Sequence, residues 1–207
     1  MENRRIVPDE QIAEIKEKAA EIHGGNAGGH GFDHVMRVYR TALLLADSYP
    51  ECERDIVAIA ALLHDVDDHK LTGTSDNGNA NARRIMDECG VDPETAEEVC
   101  AAVGSVSFSR NGGAPASALE GRLVQDADRL DAVGALGIAR TFAYGGSRGR
   151  SLFDSRRHFD EKLLKLKALM NTPEAAEMAA ERHRFMEEFL KEFDAETCPE
   201  TRGEAEK

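Results

Sequence analysis

Residues 60–70 read Ala-Ala-Leu-Leu-His-Asp-Val-Asp-Asp-His-Lys. The first four residues are apolar and continue a helical pattern from Asp55; the next seven are dominated by groups that bind metals or move protons. On a helix, the adjacent His64 and Asp65 project about 100° apart, so both can lean toward one ion beside the helix. Asp68 follows His64 by four residues and returns to the same face if the helix continues. A neutral imidazole with a carboxylate suits a divalent transition metal, and a nearby free carboxylate suits activation of water. A bare His-Asp pair is read more simply as a helix ending in a solvated acidic turn. The weight therefore rests on what surrounds it.

Working outward, helical periodicity dominates. Pro8-Asp9-Glu10 opens a helix whose apolar positions are Ile12, Ile15, Ala19 and Ile22, and the glycines between Gly24 and Gly31 end it. The next helix begins near Phe32, carries His34 close to its start and stops near Pro50. Downstream, Gly73 to Gly78 reads as a polar loop and Ala80 to Cys89 as a helix stopped by Gly90. Asp92-Pro93-Glu94 caps the helix after that, with proline at its first position and acid in its first turn. Val103 to Phe108 alternates apolar and small residues and fits either a short strand or a loop. Leu119 to Ala132 is a strong helix, Val133 to Tyr144 continues helical with Gly134 and Gly137 permitting close helix approach or a bend, and Phe159 to Met170 reads as amphipathic. Thr172-Pro173-Glu174 caps a last helix. The pattern predicts roughly eight helices and no sheet, an all-α fold.

The 207 residues suit a single domain with a core over about 10–195 and a polar tail from about 197. A net charge of −13 argues against a nucleic-acid or anionic-membrane surface, which needs a basic face. It leaves room for an anionic small substrate, because a metal and a few placed cations dominate a pocket locally. Cys52, Cys89, Cys100 and Cys198 form no CxxC pair, which fits free thiols in a reducing compartment. With no apolar leader in residues 1–20 and no run of membrane length, the expected location is cytoplasmic. Oligomeric state is not readable.

His34, His64-Asp65 and Asp128 fall on three different predicted helices, and helices converging on one point are how bundle proteins build metal sites. Two imidazoles and two carboxylates make a mixed nitrogen and oxygen shell. That suits Mn²⁺, Fe²⁺, Co²⁺ or Ni²⁺ better than a closed structural zinc site. The order of an isolated His, then His-Asp, then a later Asp resembles the HD superfamily of metal-dependent phosphohydrolases. The words HVMRVYR (34–40), AALLHDVDD (60–68) and VQDADRLDAVGALGIARTFAYGG (124–146) carry the likeness. The last of these, with HFDEKLLKLKALMNT and RHRFMEEFL, resembles the bacterial YedJ/YpgQ-like subfamily within it.

The resemblance implies that His34, His64, Asp65 and Asp128 are the metal ligands and that Mn²⁺ is the expected ion. It implies that Asp68 orients or deprotonates the attacking water, and that Lys70 can hold a phosphate. Asp126 and Asp131, on the Asp128 helix, fit structural or supporting roles. HD proteins with two metals place extra histidines between the His-Asp pair and the final Asp. No histidine lies between His69 and His158, so one ion is expected.

Arg37 and Arg129 lie one turn from, and beside, expected ligands, where they would either neutralise a phosphate or pair with carboxylates. Arg148 and Arg150, in GGSRGR, lack the phosphate-loop frame. His30 fits a supporting role or a loop; His23, His158 and His183 fit core or surface positions; Ser105 and Ser107 carry no assignment. The implied activity is hydrolysis of a small phosphorylated substrate, a nucleoside triphosphate first, with release of pyrophosphate. The alternatives are a nucleotide- or metal-binding regulatory module without turnover, or action on another phosphate ester.

Overall fold

The computed structural model describes residues 7–24, 31–68, 78–106 and 112–197. These form α1 (Asp9–His23), α2 (Phe32–Ala46), α3 (Arg54–Leu63), α4 (Ala80–Glu88) and α5 (Pro93–Val106). After them come α6 (Leu119–Asp131), α7 (Gly134–Ser147), α8 (Leu152–Glu161), a 3₁₀ segment (Leu163–Leu169) and α9 (Pro173–Thr197). The described residues contain no strand, and the fold is all-α, as the periodicity predicts.

The hub is α3. Every residue from Ile56 to Leu63 is buried, because α3 packs against α1, α2, α5 and α6. A helix surrounded in this way is apolar all round, which is how its sequence reads. Ile59, Leu62 and Leu63 are fully buried, and each such side chain contributes about 1.5–3 kcal/mol by leaving water. Around the hub, α2 and α6 pack against each other, as do α5 and α6. This brings the start of α2, the end of α3 and the middle of α6 to one place. A second cluster joins α7, α8 and α9, where Phe142, Phe159, Phe189 and Phe193 stack with centroid separations of 5.6 to 6.4 Å.

Several predicted boundaries hold. The α4 helix ends in a Schellman motif: Gly90 has φ +72, Gly90 N–H donates to Asp87 O at 3.1 Å and Val91 N–H to Met86 O at 2.9 Å. Asp92 caps α5 through the N–H groups of Glu94 and Thr95. Other boundaries move. Val103–Val106 belongs to α5, so the strand alternative fails there, while Ser107 and Phe108 lie outside the described residues. The stretch after Asp131 does not continue α6: Gly134, at φ +78, starts the separate α7, which runs to Ser147. The helix predicted over Phe159–Met170 is two elements. Ser151 caps α8 by accepting Asp154 N–H at 3.0 Å; α8 then breaks at Lys162 and gives way to the 3₁₀ segment. Among the described residues, no helix is long and apolar enough to cross a membrane. Cys52, Cys89 and Cys100 are free, buried thiols; Cys198 lies outside the described residues.

The start of α9 is held to α6 by one buried carboxylate. Asp126 accepts from Asn171 N–H at 2.8 Å, Asn171 Nδ2 at 2.9 Å, Thr172 N–H at 2.9 Å and Thr172 Oγ1 at 2.7 Å. Removing it leaves two backbone donors without an acceptor in a dry site. Asp126→Ala is predicted to lower unfolding free energy by roughly 3 kcal/mol. Urea denaturation checks this through a lower midpoint at unchanged slope.

Candidate metal centre

His34 is the third residue of α2. The helix opens at Gly31 in extended conformation, and His34 N–H donates back to Gly31 O at 2.9 Å. His64 caps the C-terminus of α3, which ends at Leu63. The condition under which Asp68 would return to the His64 face is therefore not met. Instead His64 to Asp67 form a turn, closed by Val66 N–H to Leu63 O at 3.3 Å and Asp68 N–H to Asp65 O at 3.0 Å.

The turn is tied down from outside. Asp67, buried, accepts from Asn81 N–H at 2.9 Å and Ala82 N–H at 3.0 Å, so it caps the first turn of α4. Asn81 Nδ2 returns a bond to Val66 O at 3.2 Å. The cap on α4 thus fixes the backbone that carries Asp65 and Asp68.

His34, His64 and Asp65 offer ligand atoms that all lie within 4.8 Å of one another. His34 Nε2 is 3.2 Å from His64 Nε2, 3.4 Å from Asp65 Oδ2 and 3.5 Å from Asp128 Oδ1. Asp128, on α6, joins the group on the His34 side. The two rings meet edge to face at 68°.

The proton positions follow from the other nitrogens. His64 Nδ1 lies 2.8 Å from Ala61 O, and a carbonyl only accepts, so Nδ1 carries the proton. His34 Nδ1 lies 2.7 Å from Asp131 Oδ2. Burial alone would raise Asp131, but bonds to His34 and Arg37 and the field of Arg140 hold its carboxyl well below the usual range. It is therefore an ionised acceptor, and His34 Nδ1 is also a donor. With both rings neutral, the two Nε2 lone pairs would face each other across 3.2 Å beside the oxygens of Asp65 and Asp128, so the site calls for positive charge. A proton on His34 Nε2 supplies it in the metal-free site, and the same donor set fits a divalent metal in its place. The shift at His34 has that sign. Burial would lower its pKa, but bonds to Asp131 and Asp65 and the charges of Asp65 and Asp128 raise it to about 9.

Exposure sets the direction of access. The imidazoles are buried, whereas the side chains of Asp65 and Asp128 are 16% and 33% exposed. The histidines form a floor and the carboxylates a rim open to solvent.

Of the neighbouring arginines, Arg37 reaches Asp131 through Nε at 2.7 Å and Nη2 at 3.2 Å, and Asp33 through Nη1 at 2.6 Å. Buried Arg129 donates to Leu169 O, and to Gly113 O at 3.1 Å. Arg148 and Arg150 both lie over the Tyr144 ring, 5.5 Å from its centroid. Asp131, given only a structural or supporting role by the sequence, grips His34. Asp67 and Arg140 were missed: Asp67 looks like one acid in an acidic run, and Arg140 lies beyond a helix break. His30, His69 and Lys70 lie outside the described residues.

An all-helical bundle that presents a histidine from one helix, a His-Asp pair from the end of the next and an aspartate from a later helix has the architecture of HD proteins. The HD domain model matches residues 31–133, the span from the start of α2 to just past α6. The uncharacterized protein YpgQ of Bacillus subtilis (strain 168) is 37% identical, over 89% of this chain and 92% of its own length. The crystal structure of YpgQ in complex with ADP superimposes with a TM-score of 0.76 at 32% identity, covering 89% of this chain and 97% of that one. An HD-superfamily hydrolase from Bacillus thuringiensis matches with a TM-score of 0.73 at 39% identity, covering 90% and 96%. The chain belongs to the HD-domain family.

Protein purified without chelator is predicted to carry one transition-metal ion per chain by elemental analysis, and His64→Ala to carry none. The variant should also lose the thermal stabilisation that added Mn²⁺ gives the wild type. Two ions per chain at full occupancy would contradict the single centre.

Proposed function

We propose that this protein is a metal-dependent nucleotide pyrophosphohydrolase acting on nucleoside triphosphates, deoxy forms included. The observation that carries the metal dependence is the pair of facing Nε2 atoms among carboxylates. The hydrolase class is supported by the HD family and its B. thuringiensis relative. The nucleotide preference is supported by the resemblance of the sequence and by the ADP found with YpgQ.

In this reading His34, His64, Asp65 and Asp128 hold one divalent ion, Mn²⁺ first. When bound, the ion supplies Lewis acidity toward a phosphate oxygen and makes water a better nucleophile near neutral pH. The residues of the chain do the rest. The open rim at Asp65 and Asp128 admits the phosphate chain while the buried imidazoles keep the floor dry. Asp68, held at the end of the turn that Asp67 anchors, takes the proton from the attacking water. Water adds to the α-phosphorus, the bond to the α,β-bridging oxygen breaks, and pyrophosphate leaves with a nucleoside monophosphate. Lys70, two residues after Asp68, meets the charge gathering on the phosphoryl oxygens. No part of this scheme needs a basic groove, which fits the acidic chain and a small-molecule substrate.

Product chromatography from one deoxynucleoside triphosphate with Mn²⁺ tests the reaction: monophosphate plus pyrophosphate is expected. Free nucleoside plus tripolyphosphate would make the protein a triphosphohydrolase. Binding of nucleotide without turnover by folded, Mn²⁺-loaded protein would make it a regulatory module. Asp68→Asn is predicted to keep its metal and lose about a hundredfold or more in kcat. Asp128→Asn should instead weaken metal binding, and the reverse pattern would exchange the two roles.

A further inference from the structure

We propose that Arg140 is a positioning residue for the metal centre, acting on His34 through the carboxylate of Asp131 from a helix that lies beyond the matched HD domain. Asp131 bonds His34 Nδ1 through Oδ2, and this bond fixes both the proton on that ring and the direction in which Nε2 points. Its grip depends on how Asp131 itself is held. Arg37 engages mainly Oδ1, and shares its guanidinium with exposed Asp33. Arg140 Nη1 bonds Oδ2, the oxygen that carries His34, and also the backbone oxygen of Asp131 at 3.3 Å. Its Nη1 lies 3.2 Å from His34 Nδ1. Since Nδ1 is a donor, the two nitrogens are not bonded to each other; they converge on one oxygen. Asp131 is thus clamped from two helices, and among the described residues only Arg140 holds its side chain and its backbone together.

The chain is shaped to bring Arg140 there. Gly134 at φ +78 turns the chain between α6 and α7, in a conformation that side chains rarely adopt. A Cβ on Gly137 would lie 2.2 Å from Ala132 O, so only glycine lets α7 pass this close to the end of α6. Arg140 follows Gly137 by three residues, on the same face. The C-terminus of α6, with its free carbonyls, receives a second arginine: Arg182 of α9 bonds Leu130 O. The family model ends at residue 133, and the segment beyond it reaches the centre through Asp131.

The inference rests on His34 being a metal ligand, and the test separates the two. Mn²⁺ affinity is measured by titration, and the visible spectrum of the Co²⁺-loaded protein is recorded, for wild type, Arg140→Gln, Arg140→Lys, Asp131→Ala and the Asp131→Ala/Arg140→Gln double variant. Circular dichroism establishes that each is folded. Arg140→Gln is expected to weaken Mn²⁺ binding about tenfold and to alter the Co²⁺ bands. Arg140→Lys, which keeps the charge without the fork, should recover part of that loss; should Arg140→Gln fail to fold, an intermediate affinity of Arg140→Lys still supports the role. In the Asp131→Ala background Arg140→Gln should cost little more, because its route to the metal is already gone. Affinity and spectrum unchanged in Arg140→Gln, or an equal loss with and without Asp131, would overturn the inference. A rise in KM for nucleotide at unchanged Mn²⁺ affinity would overturn it too, by making Arg140 a substrate contact. Wild-type protein that binds no Mn²⁺ would overturn both this inference and the metal reading beneath it.

Discussion

Two imidazole Nε2 atoms 3.2 Å apart, buried among carboxylates, are the feature on which the rest of the structure depends. With both rings neutral the pair would repel, so the site draws in positive charge, a proton on His34 or a metal ion. Each ring is nevertheless locked in place by a donor bond on its far side, His64 to Ala61 O and His34 to Asp131. Both Nε2 atoms are thus held pointing at one spot, the arrangement a candidate metal site needs.

The surrounding fold supplies what the centre needs. The α3 hub delivers His64 at its C-terminal end, with eight consecutive buried residues behind it to keep that end still. The packing of α2 and α6 on the hub brings His34, Asp128 and Asp131 to the same point. Two further carboxylates act as fasteners at a distance. Asp67 pins the turn of residues 64–67 to α4, and Asp126 pins α9 to α6. Three acids close together in α6 therefore have different tasks, set by direction rather than by residue type: Asp126 toward α9, Asp128 toward the rim and Asp131 toward the back of His34.

Much of this is legible in the sequence. The all-α class follows from helical periodicity and from caps such as Asp92-Pro93-Glu94 and Gly90, whose chemistry is local. The residues of the candidate site are legible through the resemblance to the HD superfamily, since a bare His-Asp pair by itself reads as a solvated helix end. What is not legible depends on long-range geometry. The break between α6 and α7 turns on a positive φ at Gly134; the sequence offers a bend or a close helix approach at Gly134 and Gly137 without choosing between them. The early start of α8 turns on Ser151 acting as a cap. Arg140 has no local reason to be special; its meaning comes from where the turn at Gly134 and the close approach at Gly137 put it. Arg129 shows the converse. Its position beside Asp128 suggests either a phosphate contact or a pairing with carboxylates, but its guanidinium turns to the carbonyls of Leu169 and Gly113.

The central claim is that one cation sits between the two imidazoles. Pulsed electron paramagnetic resonance of the Mn²⁺-loaded protein reads this directly, through the nuclear spins of nitrogens bonded to the ion. Coupling to two imidazole nitrogens, falling to one in His34→Ala or His64→Ala protein that is forced to full loading, is the expected result. A tightly bound ion with no imidazole coupling would place the metal elsewhere and contradict the account.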